Sequence, residues 1–336
     1  MKRILLITTG GTIACRQTPA GLSPVMDASE ILRFVPTVSE LCEIQTLPLM
    51  NKDSTEIMPS DWLAIARNIC ERYERFDGFV VTHGTDTMAY TTAALSYLIQ
   101  RSPKPVVVTG SQRPIDADIN DARQNLLDSF RCACDARTHG VVLVFDGEVI
   151  AGTRAKKTHT KSYNAFSSVN YPALARIQDG RMVTYIERSC GDCAEFYDEL
   201  CERVELVKLT PASSPRLLEE ALCGNDAVVV ESFGTGGVPA RFRHVFENAA
   251  AQDKLIVMTT QVPNEGSDMT IYKVGREIKE KLSLLEAFDM TLEAVLAKLM
   301  WVLALGGVRD ELRARFYAPI GEDILFSETE SNTIGI

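Results

Sequence analysis

The 336 residues are 46% hydrophobic and 24% charged, which suits a globular chain of roughly two domains with a sizeable core. A net charge of −10 argues against a nucleic-acid coat or an anionic membrane surface as the main partner. No stretch approaches the ~18 apolar residues of a membrane span, and nine scattered cysteines make a poor disulfide framework, which points to a reducing compartment.

Met1-Lys2-Arg3 and the apolar run behind it have the outline of a secretory leader. The run stops after Ile7, too short for a leader's apolar segment, so a cytoplasmic protein is expected. Residues 4–8 read as a strand that ends in Thr9-Gly10-Gly11-Thr12. Residues 61–75 carry apolar positions at helical spacing, with Ser60 as the expected N-cap. A second strand covers 78–82, a helix 88–100, a third strand 105–109, a long helix 120–136 and a fourth strand 141–145. These strands are continuous β-branched runs, the pattern of strands covered on both faces. Alternation of such strands with helices predicts a parallel sheet with right-handed crossovers, a doubly wound, flavodoxin-like α/β domain.

The pattern weakens from 186 to 201 and then restarts. Strands are expected at 204–209, 227–230 and 255–259, and helices at 215–222, 241–251, 291–305 and 309–316. The expected organisation is a larger N-terminal α/β domain (1–187), a linker (188–201) and a smaller C-terminal α/β domain (202–336). Cys190-Gly191-Asp192-Cys193 has CxxC spacing, but no second ligand pair matches it, so these read as free surface thiols rather than a metal site.

In open parallel sheets ligands sit beyond the carboxyl ends of the strands. There this chain places Thr9-Gly10-Gly11-Thr12, then Thr82-His83-Gly84-Thr85-Asp86-Thr87, then Thr109-Gly110-Ser111-Gln112-Arg113; Lys156-Lys157 follows the fourth strand past a hairpin at Asp146-Gly147. No GxGxxG and no GxxxxGK[ST] is present, which argues against nucleotide binding. Acyl transfer needs a nucleophile, a route for its proton and oxyanion donors. Thr12 and Thr85 can serve as nucleophiles, Lys157 can ease deprotonation, and Asp86 can orient that lysine or hold a substrate amine. Each hydroxyl can equally be an ordinary turn hydroxyl bonded to nearby backbone.

The segments TTGGTIA at 8–14 and THGTDTMAYTTAALS at 82–96 resemble the two signature segments of the L-asparaginase family, the bacterial type with a threonine nucleophile. The resemblance continues through VVVTGSQRP, GTRAKKTHTKSYNAFSSVN and FDMTLEAVLAKL, so it covers nearly the whole chain, and it is nearer the cytoplasmic type I branch than the periplasmic type II branch. It implies an amidohydrolase that turns L-asparagine and water into L-aspartate and ammonia through an acyl-enzyme. It implies catalytic roles for Thr12, Thr85, Asp86 and Lys157. Substrate contacts fall to Asp53, Ser54, Thr55, Thr85, Asp86 and Ser111. No metal or organic cofactor is implied, and the expected partner is a second copy, in a homodimer or homotetramer, with neither nucleic acid nor membrane.

Three positions depart from the family pattern. Leu22 stands where many relatives carry a loop tyrosine, and Tyr272 is a candidate substitute. Gly237 stands where relatives often have asparagine, and Val262 where some type I enzymes have an allosteric-site cysteine. The second reading is the asparaginase-like component of an archaeal Glu-tRNA amidotransferase; its usual extra N-terminal domain is not expected here, because the first motif starts at residue 8. A third is a non-catalytic amino-acid sensor on the same fold.

Overall fold

The computed structural model describes residues 1–18, 21–252, 254–271 and 273–326. The chain divides into two compact units, Met1–Asp198 and Glu199–Ile336.

In the first unit β1 (Lys2–Gly10) leads into a hairpin of β2 (Cys15–Thr18) and β3 (Gly21–Pro24). Two short helices, α1 (Ala28–Leu32) and α2 (Val38–Leu41), precede β4 (Cys42–Lys52). Then come α3 (Pro59–Arg72), β5 (Gly78–Thr82), α4 (Met88–Leu98), β6 (Ile99–Gln100), β7 (Pro105–Thr109), α5 (Ala122–Cys134) and β8 (Gly140–Phe145). The unit continues with β9 (Glu148–Ala151), β10 (Ala155–Lys157), β11 (Phe166–Ser168), β12 (Ala175–Gln178), β13 (Arg181–Thr184) and β14 (Glu195–Phe196).

Eight strands form one sheet in the order β13-β12-β9-β8-β7-β5-β1-β4. The five strands from β8 to β4 are parallel. Their β-branched residues are buried because helices cover both faces; Ile4, Leu6, Val80, Val107 and Val142 pack in one core with Leu126 and Phe130 of α5. Beyond β8 the sheet turns antiparallel. The reason is local: Asp146-Gly147 and Asp179-Gly180 each take φ near +50° and then +73°, the two-residue hairpin turn that can join only antiparallel neighbours. The expected parallel sheet is therefore the central part of a mixed one.

Other details differ from the sequence expectations. The 61–75 helix begins at Pro59, not behind a Ser60 cap: Met58 is the N-cap, Pro59 brings no N–H to satisfy, and the Asp61 carboxylate accepts the Met58 N–H at 2.9 Å. The 88–100 helix ends at Leu98, whose carbonyl accepts Tyr197 N–H, while Ile99 and Gln100 pair with Phe196 and Glu195. Within the 188–198 stretch, Arg188 donates to the His139 carbonyl at 2.8 Å and Gly191 N–H to the Arg101 carbonyl. Cys190 and Cys193 are free and exposed.

The second unit alternates β15 (Val204–Lys208), α6 (Pro215–Gly224), β16 (Ala227–Ser232), α7 (Arg243–Ala251), β17 (Leu255–Thr260), α8 (Lys273–Leu282) and β18 (Leu285–Glu286), followed by α9 (Leu292–Ala304) and α10 (Arg309–Tyr317). Its four strands are parallel in sequence order. Ser214 caps α6 and Thr291 caps α9 through their hydroxyls. No helix among the described residues is long and apolar enough to cross a membrane.

Candidate active site

The turns that leave β1, β5 and β7 meet because glycine lets their backbones touch. Gly10 and Gly11 have φ of 102° and 76°, a region side chains rarely enter. A methyl group on Gly11 would lie 2.3 Å from Gly84 N, one on Gly84 2.7 Å from Ser54 Cβ and Oγ, and one on Gly110 2.1 Å from the His83 carbonyl. Thr12 and Thr85 each follow a glycine of the first contact, so they flank it. Thr12 opens a short 3-10 turn, half-buried, and its hydroxyl has no hydrogen-bond partner among the described residues.

Thr85 is buried, and its hydroxyl is fully engaged. Lys157 Nζ donates to Thr85 Oγ1 at 2.8 Å and to Asp86 Oδ1 at 2.7 Å, while the Thr85 hydroxyl donates to Gln112 Oε1 at 3.2 Å. Lys157 reaches them from β10, paired with β11, its side chain 17% exposed against 60% for Asp86. Gln112 continues the chain by donating to the Ser162 carbonyl at 3.2 Å. Ser54 is buried; its hydroxyl accepts Asp86 N–H at 3.3 Å, and its carbonyl accepts the Thr87 hydroxyl at 2.6 Å. Asp53 Oδ1 accepts both the N–H and the hydroxyl of Thr55, which hold its carboxyl below the usual range.

Ser111 is buried, and its hydroxyl donates to the Arg113 carbonyl within its own turn, so this turn presents backbone and Gln112 rather than the serine hydroxyl. Asp121 shapes the turn by accepting the N–H groups of Gln112 and Arg113 at 2.8 and 3.0 Å, and burial pushes its carboxyl up. The structure thus joins Thr85, Asp86 and Lys157 directly. Ser54 joins them through Asp86, Asp53 and Thr55 lie on the adjoining turn, and the Thr12 turn abuts them through Gly11. Gln112, on the Thr85 hydroxyl, is not among the residues that sequence reasoning singles out, although its place behind the third strand is a signal. Of the two lysines on β10, Lys156 and Lys157, Lys157 is the one that meets Thr85. The Leu22 side chain and Tyr272 lie outside the described residues. In the second unit the Gly237 carbonyl accepts the Ser232 hydroxyl, and Val262 is half-exposed.

Residues 3–189 match the family model described as "Asparaginase, N-terminal", and residues 203–316 the one described as "Glutaminase/Asparaginase C-terminal domain". The chain belongs to the asparaginase family. It is 39% identical over 312 residues to an L-asparaginase of Thermococcus kodakarensis, covering 92% of this chain and 94% of that one. A glutamyl-tRNA(Gln) amidotransferase component from Aeropyrum pernix is 36% identical over 90% of this chain and 75% of its own. Among solved structures, the thermostable asparaginase of T. kodakarensis superposes with a TM-score of 0.91 at 37% identity, covering 97% of this chain and all of that one. L-asparaginase I of Vibrio cholerae gives 0.85 at 26%, covering 97% and 99%. The asparaginase fold read from the motifs is the fold observed.

Proposed function

We propose that this asparaginase-family chain hydrolyses the side-chain amide of L-asparagine to L-aspartate and ammonia, with Thr12 as nucleophile. The observation that carries the reading is Lys157, held by Thr85 and Asp86 on the turn that abuts the Thr12 turn. The Thr12 hydroxyl adds to the amide carbonyl; the C–N bond breaks and ammonia leaves with the Thr12 proton, giving a Thr12 ester. Water then adds to the ester, the bond to Thr12 breaks, and the hydroxyl regains a proton. Backbone N–H groups of the glycine turns hold the developing oxyanion.

Thr85 and Lys157 activate the attacking oxygen. Lys157 Nζ donates to Thr85 Oγ1, which directs the Thr85 proton toward Gln112. The exposed Asp86 carboxylate, bonded to the same lysine, receives the substrate α-ammonium. Ser54 offers its hydroxyl proton to the α-carboxylate, the Thr55 hydroxyl joins it by turning away from Asp53, and the Ser111 turn contacts the amide.

Ammonia release from asparagine by purified protein tests this, beside Thr12→Ala and Thr85→Val. Wild-type turnover no higher than the Thr12→Ala background sinks the proposal. Faster turnover of glutamine reassigns the substrate, and release that needs glutamyl-tRNA assigns the amidotransferase role. A cytoplasmic location is proposed with it, in line with a solved structure from Campylobacter jejuni titled a probable cytoplasmic L-asparaginase, 25% identical with a TM-score of 0.82. A homodimer or homotetramer is proposed from the family resemblance; a monomer by light scattering would overturn it.

A further inference from the structure

Behind Thr85, out of solvent, lies a hydrogen-bond chain that the reaction does not use. His83 is fully buried at the end of β5. Its Nδ1 lies 2.7 Å from the Gly84 carbonyl oxygen and its Nε2 2.9 Å from Thr91 Oγ1. Trp62 Nε1 donates to the same Thr91 oxygen at 2.9 Å. Only one proton arrangement satisfies every member. A carbonyl can only accept, so Nδ1 carries the ring proton. An indole N–H can only donate, so Thr91 accepts from Trp62 and turns its own proton to Nε2, which must be bare. The ring is therefore neutral, with its proton on Nδ1. Burial agrees, lowering the His83 pKa to about 4 against the raising influence of the Gly84 carbonyl and, after it, of Asp61, whose carboxylate is paired with Lys52 at 2.8 Å.

We propose that His83 is a positioning residue: its Nδ1–H pins the Gly84 carbonyl and so fixes the orientation of the Gly84–Thr85 peptide and of Thr85 against Lys157. A trans peptide carries its C=O and N–H on opposite sides. Pinning one inward turns the Thr85 N–H outward, and that N–H has no acceptor among the described residues. The backbone of His83 is held independently, its N–H on the Thr109 carbonyl at 2.8 Å and its own carbonyl against Gly110. The ring thus adds one constraint, on the next peptide alone.

The inference rests on the proposed asparaginase reaction for its kinetic readout and stands apart from it in its spectroscopic one. With only four histidines in the chain, long-range 1H–15N correlation of the wild-type protein at pH 7 resolves the His83 ring. The expected pattern is a protonated Nδ1 and an unprotonated Nε2; an Nε2–H ring overturns the proposal whether or not asparagine is hydrolysed. In kinetics, His83→Leu lowers kcat on asparagine by about 10²-fold, more than it raises KM. His83→Asn, whose amide nitrogen falls near the Nδ1 position, recovers most of that loss. His83→Gln, whose amide falls near Nε2, does not. Asn and Gln variants that are equally active, or equally inactive at wild-type thermal stability, overturn the positioning role. Wild-type protein without turnover but with the Nδ1–H ring would instead point to failure of the reaction assignment.

Discussion

Gly11→Ala tests whether the contact of two glycine turns sets the alignment of the two threonines. The new methyl group would meet Gly84 N at 2.3 Å and Gly84 Cα at 2.5 Å, where ordinary contact begins at 3.4 Å, so the turns must part by about 1 Å. The obstructing atoms are backbone, so no rotamer change relieves them. The φ of 76° with ψ of 177° puts Gly11 in a region essentially closed to residues with a Cβ. That strain costs about 1–3 kcal/mol, and overpacking adds about 1–3 kcal/mol. A displacement of that size between reacting groups costs about 10²-fold in rate. The expected result is a melting point lowered by several degrees and a kcat on asparagine reduced about 10²-fold, beyond any loss of folded protein measured at the assay temperature. Gly224→Ala is the control: it ends α6 with nothing within 4 Å and an ordinary φ, so neither quantity should fall. A Gly11→Ala protein that keeps wild-type kcat would refute the reasoning.

Lys157→Met should cut kcat by about 10²–10⁴-fold while the melting point barely moves, because its ion partner Asp86 is largely exposed and such pairs contribute about 0–1 kcal/mol; a large stability loss with normal kcat would recast Lys157 as structural. Lys298 Nζ and Asp323 Oδ2 lie 2.6 Å apart with no solvent exposure, so Lys298→Met should cost about 3–5 kcal/mol in urea denaturation, and adding Asp323→Asn should return much of it. The His83 pKa falls from 6.5 to about 4 on folding, so between those values the unfolded chain binds a proton that the native state refuses. Stability should therefore fall by about 3 kcal/mol as pH drops through that window, and His83→Asn should remove that component of the pH dependence; an unchanged profile in the variant would sink the assignment.

Much of the fold was legible because it is written locally. Runs such as Gly78-Phe79-Val80-Val81-Thr82 announce strands covered on both faces, and the helices between them carry their own spacing and caps. What escaped lacks a continuous apolar run. β4 is buried only at Cys42 and otherwise half-buried or exposed because it is the edge strand beside β1, and it tolerates Pro48 where its register with β1 shifts. Asp179-Gly180 carried the same hairpin signal as Asp146-Gly147 and marked β12 and β13, yet its strands have only four residues each. The missed β10–β11 pair is shorter still, three residues in each strand, and it is the one that delivers Lys157.

The sequence by itself determined which turns carry chemistry: glycine beside threonine at three strand ends, with Asp86 and Lys157 as charged candidates. It could not determine what each side chain touches. Gln112 on the Thr85 hydroxyl, Ser111 turned into its own loop and Ser54 on the Asp86 N–H are contacts that folding decides, the first and last between segments tens of residues apart and set by sheet order. The state of His83 belongs there too. Its letter sits in plain view beside Gly84, but only burial against Thr91 and Trp62 dictates a neutral ring with its proton on Nδ1. A strand signal is a property of neighbours along the chain, whereas a proton's place depends on groups that folding alone brings together.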